Sequence, residues 1–521
     1  MRTRLRLAIV ASFTFAIVIA IPSWRGSAPV RAQAAAQAPA PAAVPAEEWS
    51  QTSHTMKLGN QSIPYNAMAG TTAIKNDAGE TLGLMYSVSY VRSDVQDKST
   101  RPVTFLFNGG PGSASMWLHM GSVGPKRVVT VNGQYTPPAP YQIVDNEETM
   151  LHRSDLVFID AMGTGFSRIV GRGAERDFYG VDEDAAAFTQ FITTWLSRNG
   201  RWNSPKFIIG ESYGTFRGAV VANLLQQRGV HLNGLNLLSM VLDLSTITFA
   251  PGDDRPYIYY LPSYAAVAWY HGVLQNKPAS LEQLLEDARR YATSEYAAAL
   301  MKGSALSEAE MTAVAKKLST FTGLPEDYLK RANLRPTLGQ FNAELMRTRR
   351  LTAGRIDARF AGDTVNQLTE NAENDPFNAA VGSAYTAAVN HFTREVLKFG
   401  GDRPYLNTNG AGGRWNWVRQ AGGRGFFPSA PNVQGDLVQA MVANPHMVVQ
   451  VENGYYDMAT PFFPAEFTMS HLGIPASLQR NITLKYYESG HMMYLRDQDR
   501  VALTKNLIVF VDRGLAPVTR R

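Results

Sequence analysis

A mostly parallel, doubly wound α/β sheet, interrupted by a long and mostly helical insertion, is the fold that this 521-residue sequence predicts. Three observations carry that expectation. Residues 103–107 (VTFLF), 156–160 (LVFID) and 206–210 (KFIIG) are short, unbroken apolar runs, as expected of parallel strands covered on both faces. Residues 182–198, between the second and third runs, have helical spacing, with Phe188, Phe191, Ile192 and Trp195 on one face. Strand alternating with helix implies a doubly wound sheet. From about residue 249 to 445 that alternation stops.

The chain opens with Arg2, Arg4 and Arg6, continues with an apolar stretch at 7–20, and reaches Val30-Arg31-Ala32. Residues 1–32 therefore read as a secretory signal peptide, which would tie the protein to a membrane only if left uncleaved. No later stretch reaches the roughly 18 apolar residues of a membrane span. Those 32 residues hold five arginines and no acid, so the net charge of +6 falls to +1 without them. The basic balance belongs to the targeting segment. No basic patch with interleaved aromatics follows, which excludes nucleic acid as a partner. The absence of cysteine rules out disulfides, a thiolate metal site and a cysteine nucleophile. In an exported protein it points to a bacterial periplasm or the medium outside the cell.

Residues 33–46, mostly Ala, Pro and Gln, form a tether. The first part of the core follows at 47–248. It begins with an antiparallel set of strands at 54–92, broken by Gly59-Asn60 and by residues 76–79. A helix at 213–227 and strands at 235–244, 447–451 and 482–487 continue the α/β pattern. Residues 249–445 form a helical cap, with helices at 279–301, 307–321 and 377–397. Its glycine-rich stretch at 410–425 carries Trp415 and Trp417. The second part of the core is 446–521, closed by a helix at 500–514.

The strongest chemical signal is Gly210-Glu211-Ser212-Tyr213-Gly214, which fits G-x-S-x-G between an apolar strand and a helix. In that context the serine sits on a sharp strand-to-helix turn, the nucleophile elbow of an α/β-hydrolase fold, beside the backbone N–H of Tyr213. A serine hydroxyl needs a base, and in this fold the acid and then the histidine follow it in the chain. His446 precedes the strand that should lead to the acid, and His471 stands at a helix end. His491 follows a strand and a small-residue turn, so it is the expected base. Asp457, in the loop after the preceding strand, is the expected acid; Glu452 within the strand and Glu466 beyond a proline are its rivals. Asn108-Gly-Gly-Pro-Gly-Ser113 follows VTFLF, where the fold draws its second oxyanion donor. The glycine-containing run 160–167 lacks the third glycine of a dinucleotide loop and reads as support for a neighbouring loop. No metal-ligand or nucleotide motif is present, so no cofactor or metal is expected.

Asn108-Gly-Gly-Pro-Gly, the 160–167 run, Gly-Glu-Ser-Tyr-Gly at 210–214, Gly454-x-x-Asp457 and Gly490-His-Met together resemble the serine carboxypeptidase family, in that family's order. The resemblance covers about residues 100–250 and 445 onward. It implies a triad of Ser212, Asp457 and His491, an oxyanion hole from the N–H groups of Gly110 and Tyr213, and peptide substrates with a free C-terminus. The substrate's terminal carboxylate would be held by Asn108 and Glu211, the latter protonated, because two carboxylates repel. The sequence departs from the family at Ser122, where relatives carry a second glutamate. The leading expectation is an exported serine carboxypeptidase. The alternatives are an esterase, acyltransferase or lyase on the same scaffold, or a catalytically silent peptide-binding protein, against which the complete triad argues.

Overall fold

The computed structural model describes residues 44–419 and 430–516. The expected signal peptide, most of the tether and part of the glycine-rich stretch lie outside the described residues. Three antiparallel strands, β1 (Trp49–Leu58), β2 (Gln61–Lys75) and β3 (Thr81–Arg92), open the sheet. Then come β4 (Val103–Phe107), β5 (Asp155–Ile159), β6 (Lys206–Glu211), β7 (Gly234–Leu238), β8 (Val448–Gly454) and β9 (Ile482–Tyr487). They assemble in the order β1-β2-β3-β5-β4-β6-β7-β8-β9, parallel from β5 onward. β4 through β7 are buried along their whole length, which is why they read as continuous apolar runs rather than alternating ones.

The register fixes where chemistry can occur. Phe107 lies opposite Gly210, Glu211 opposite Leu238, and Leu238 opposite Glu452. The strands therefore end together, and the loops after β4, β6 and β8 leave one edge of the sheet. In open parallel sheets ligands bind at that carboxyl edge.

Before the insertion stand α1 (Met116–Gly121), α2 (Val181–Asn199) and α3 (Tyr213–Gln227). The insertion holds α4 (Arg255–Tyr270), α5 (Leu281–Tyr291), α6 (Glu308–Thr322), α7 (Pro376–His391) and α8 (Gln434–Ala443), besides shorter turns. The last helix is α9 (Asp497–Leu515). One apolar core joins α2, α3 and α8 to one face of the sheet. A second joins α1, α7 and α9 to the other face. A third gathers α4, α5 and α6 around Tyr456 and Met458 of the loop after β8 and Phe462 at the start of the helix that follows it. No helix among the described residues is long and apolar enough to cross a membrane.

Two differences from the sequence reading have physical causes. α4 went unread because nearly its whole surface is buried, leaving no polar stripe to set a period, and because Pro262 lies inside it. β7 stops at Leu238, six residues short of the expected end. There the chain turns through Ser239, at φ 50°, whose N–H donates to Glu452 O.

One buried ion pair binds the layers to the site. Arg217 of α3 donates from Nε to Asp184 of α2 at 2.6 Å, and from Nη1 to the carbonyl of Asn108 at 2.7 Å. Its guanidinium lies 4.2 Å from the centre of the Phe188 ring. Removing one partner of such a pair leaves a buried charge uncompensated. Asp184→Asn is expected to lower stability by about 3 kcal/mol, measured by urea unfolding.

Candidate active site

β6 ends at Glu211, and Ser212 then takes φ 62° and ψ −130°, a conformation that a non-glycine residue adopts only under constraint. The constraint comes from both sides. Ser212 N–H donates to Leu238 O of β7 at 2.9 Å, and Ser212 O accepts from the backbone and hydroxyl of Thr215. A Cβ on Gly210 would stand 2.2 Å from Gly214 O, and one on Gly214 would stand 2.7 Å from Phe107 O. Only glycines allow the turn to close this tightly.

Asp457 follows β8 and is fully buried. Its Oδ1 accepts from the N–H groups of Ala459 and Thr460 at 2.8 and 2.9 Å, and its Oδ2 from the Thr460 hydroxyl at 2.8 Å. The same Oδ2 lies 2.7 Å from His491 Nδ1. That bond places the imidazole proton on Nδ1 and leaves Nε2 as the acceptor. The His491 backbone is tied at both ends. Its N–H donates to Ile356 O, and its carbonyl accepts from Ser239 Oγ at 2.6 Å. Burial works to lower the His491 pKa, but the charge and hydrogen bond of Asp457, joined by the charge of Glu211, raise it above its usual value.

Ser212 and His491 line one cleft of about 330 Å³, together with Asn108, Gly110, Glu211 and Tyr213. Among the described residues Ser212 Oγ has no hydrogen-bond partner, and in free enzymes such contacts often tighten only once substrate binds. Tyr213 opens α3, so its N–H has no partner within the helix. Among the described residues the N–H groups of Gly110 and Tyr213 donate to no backbone carbonyl.

Asn108 leaves β4 and joins two elements. Its Oδ1 accepts from Leu118 N–H at 3.0 Å, and its Nδ2 donates to Glu211 Oε1 at 2.8 Å. Glu211 is buried, and its Oε2 accepts from the Tyr494 hydroxyl at 2.8 Å. Burial pushes the Glu211 carboxyl up to about 7; the positive charge of His491 and the bonds from Tyr494 and Asn108 oppose that rise without cancelling it. Ser122 is also buried, and its hydroxyl donates to Leu118 O within its own helix.

The rival residues lie elsewhere. His446 is exposed, and His471 stacks on Phe467. Glu452 accepts from Tyr487 within the sheet, and Glu466 pairs with Arg289. Asp160 braces the loop after β4 by accepting from Ser115 N–H, and that bond fits the supporting role expected of its run.

The cleft also recruits residues that sequence reasoning missed. Thr460 and Ser239 hold Asp457 and His491, Ile356 receives the His491 N–H, and Trp117, Arg355 and Trp417 form walls. Thr460, three residues beyond Asp457, was legible as a hydroxyl able to cap that carboxylate. The others come from segments without any motif.

The sequence profile described as serine carboxypeptidase matches residues 69–358, more than half of the chain. The chain belongs to the serine carboxypeptidase family. Membership makes it a serine-type hydrolase of peptides. The matched span includes Ser212 and ends before Asp457 and His491. The fold is similar to that of Kex1Δp, a prohormone-processing carboxypeptidase from Saccharomyces cerevisiae. The two share 15% identity over 86% of this chain and 91% of that one, at a TM-score of 0.52. A proline iminopeptidase from Mycobacterium smegmatis aligns at 13% identity over 89% and 99% of the two chains, at a TM-score of 0.33.

Thr460→Val removes one donor to Asp457 and keeps the side-chain volume. The expected result is a fall in kcat of about fivefold at unchanged KM, the worth of one hydrogen bond, read from steady-state kinetics.

Proposed function

We propose that this serine carboxypeptidase removes C-terminal residues from peptides through an acyl-enzyme on Ser212. One arrangement carries the reading: the buried Asp457–His491 pair opens onto the cleft that also holds Ser212, with Asn108 and Glu211 beside it. Ser212 Oγ attacks the last peptide carbonyl and passes its proton to His491 Nε2. Asp457 stabilises the imidazolium. The negative oxygen accepts hydrogen bonds from Gly110 N–H and Tyr213 N–H, each worth about 3–4 kcal/mol in the transition state. His491 then protonates the leaving amine, and water attacks the acyl-enzyme by the same route in reverse.

The substrate's terminal carboxylate is read by the Asn108 amide and by Glu211 in its protonated form. This gives the pH dependence its sign. His491, with a raised pKa, must be neutral, so activity falls as pH drops through that value. Glu211 must be protonated, so binding of a free carboxylate fades as pH rises through about 7. An N-blocked dipeptide with a free C-terminus should therefore give a bell-shaped kcat/KM profile, and its C-terminal amide should lack the alkaline limb set by Glu211. Equal rates on both substrates across the range would overturn the exopeptidase reading. Ser212→Ala should fold and lose about 10⁴-fold or more in kcat.

Residues 249–445 are read as the cap, with α4 to α6 forming the part apart from the sheet's two layers. The chain is also read as exported, with cleavage after Ala32. N-terminal sequencing of protein recovered from outside the cytoplasm should begin at Gln33, and recovery of an intact Met1 would overturn that.

A further inference from the structure

At the end of α1 the Ser122 hydroxyl is turned back to Leu118 O. The space beside that helix end is already filled. A Cβ on the neighbouring Gly121 would stand 2.1 Å from the Tyr385 hydroxyl and 2.8 Å from Cε2 of Tyr494. Both tyrosines are 1% exposed. Tyr385 comes from α7, and Tyr494 from the turn three residues beyond His491. The Tyr494 hydroxyl donates to Glu211 Oε2 at 2.8 Å, while Asn108 Nδ2 donates to Oε1 at the same distance.

We propose that Tyr494 is the positioning residue of the carboxylate-binding subsite, its hydroxyl holding Glu211 from the side opposite Asn108. The proposal rests on the reading of Glu211 as the acid that receives the substrate's terminal carboxylate. Each Glu211 oxygen accepts one bond from the protein, which fixes the plane of the carboxyl group and leaves its added proton for the ligand. A second glutamate would share that proton and, once both ionised, would place two like charges together. A phenol does neither. Burial, and then the charge of Glu211, push the Tyr494 hydroxyl well above its usual range, so it stays a neutral donor. The titrating or charged groups that face Glu211 are His491, Asp457, Tyr385 and Tyr494, and no second carboxyl group stands in hydrogen-bonding contact with it among the described residues. The subsite thus carries one titrating acid.

The test compares kcat/KM for an N-blocked dipeptide and its C-terminal amide between pH 5 and 9, in the full-length protein and in Tyr494→Phe, Tyr494→His and Glu211→Gln. Tyr494→Phe keeps the ring and loses the donor. The free-acid to amide ratio should fall about tenfold, the cost of losing one hydrogen bond to the neutral acid, mainly through KM. The alkaline limb of the free-acid profile should move to higher pH, because a bond favouring ionised Glu211 is gone. Tyr494→His retains a donor and should recover part of the ratio, which keeps the test decisive if the phenylalanine variant does not fold. A merely structural tyrosine would change both substrates alike and leave the limb in place, and that result would overturn the proposal. Glu211→Gln separates the two readings. If it alters ratio and limb while the Tyr494 variants do not, Glu211 stands and Tyr494 falls. If Glu211→Gln itself leaves both unchanged, the carboxylate reading of Glu211 falls, and Tyr494 with it.

Discussion

Ser212 is held in a backbone conformation that costs about 1–3 kcal/mol, and the surrounding structure leaves it no other. β6 delivers it and β7 receives its N–H. Gly210 and Gly214 let β4, β6 and α3 approach to distances that a side chain would block. The strain persists because the sheet on both sides of β6 is buried and in register. The same register brings the ends of β4, β6 and β8 to one edge, so the residues placed there by unrelated segments meet in one cleft.

Electrostatics in that cleft is a matter of mutual adjustment among buried groups. Asp457 spends all its acceptor capacity on Thr460, Ala459 and His491, and so holds the imidazole in one tautomer. Glu211 contributes to raising the basicity of His491, and His491 in turn lowers that of Glu211. The proposed reaction needs His491 neutral and Glu211 protonated. Both groups are buried, so the charge of one is less screened from the other. Arg217 adds a further link, because the cation that neutralises Asp184 also fixes the carbonyl of Asn108.

The long insertion is less separate than its sequence suggests. α7 and α8 complete the layers on the two faces of the sheet, whereas α4, α5 and α6 build a core of their own against the loop after β8. Ile356 and Arg355, from the same insertion, reach the cleft, and Ile356 anchors the His491 backbone. A segment without any catalytic motif therefore helps to hold His491.

Local chemistry made much of this protein legible in its sequence. Parallel strands buried on both faces must be apolar throughout, so β4, β5 and β6 were readable. A tight strand-to-helix turn needs Gly210 and Gly214, so Ser212 was readable with them. Chain order, and a place in a loop after a strand, made Asp457 and His491 the expected acid and base. Tertiary structure decided what depends on contacts between distant segments. α4 has no polar stripe because it is buried nearly all round, so no period could reveal it. Ser239, Ile356 and Thr460 matter only through the backbone and carboxylate that they hold. Nothing in the pattern of residues pointed to Tyr494. Its hydroxyl meets Glu211 across 283 positions of chain, and only the packing of α1, α7 and the turn after His491 brings the two together.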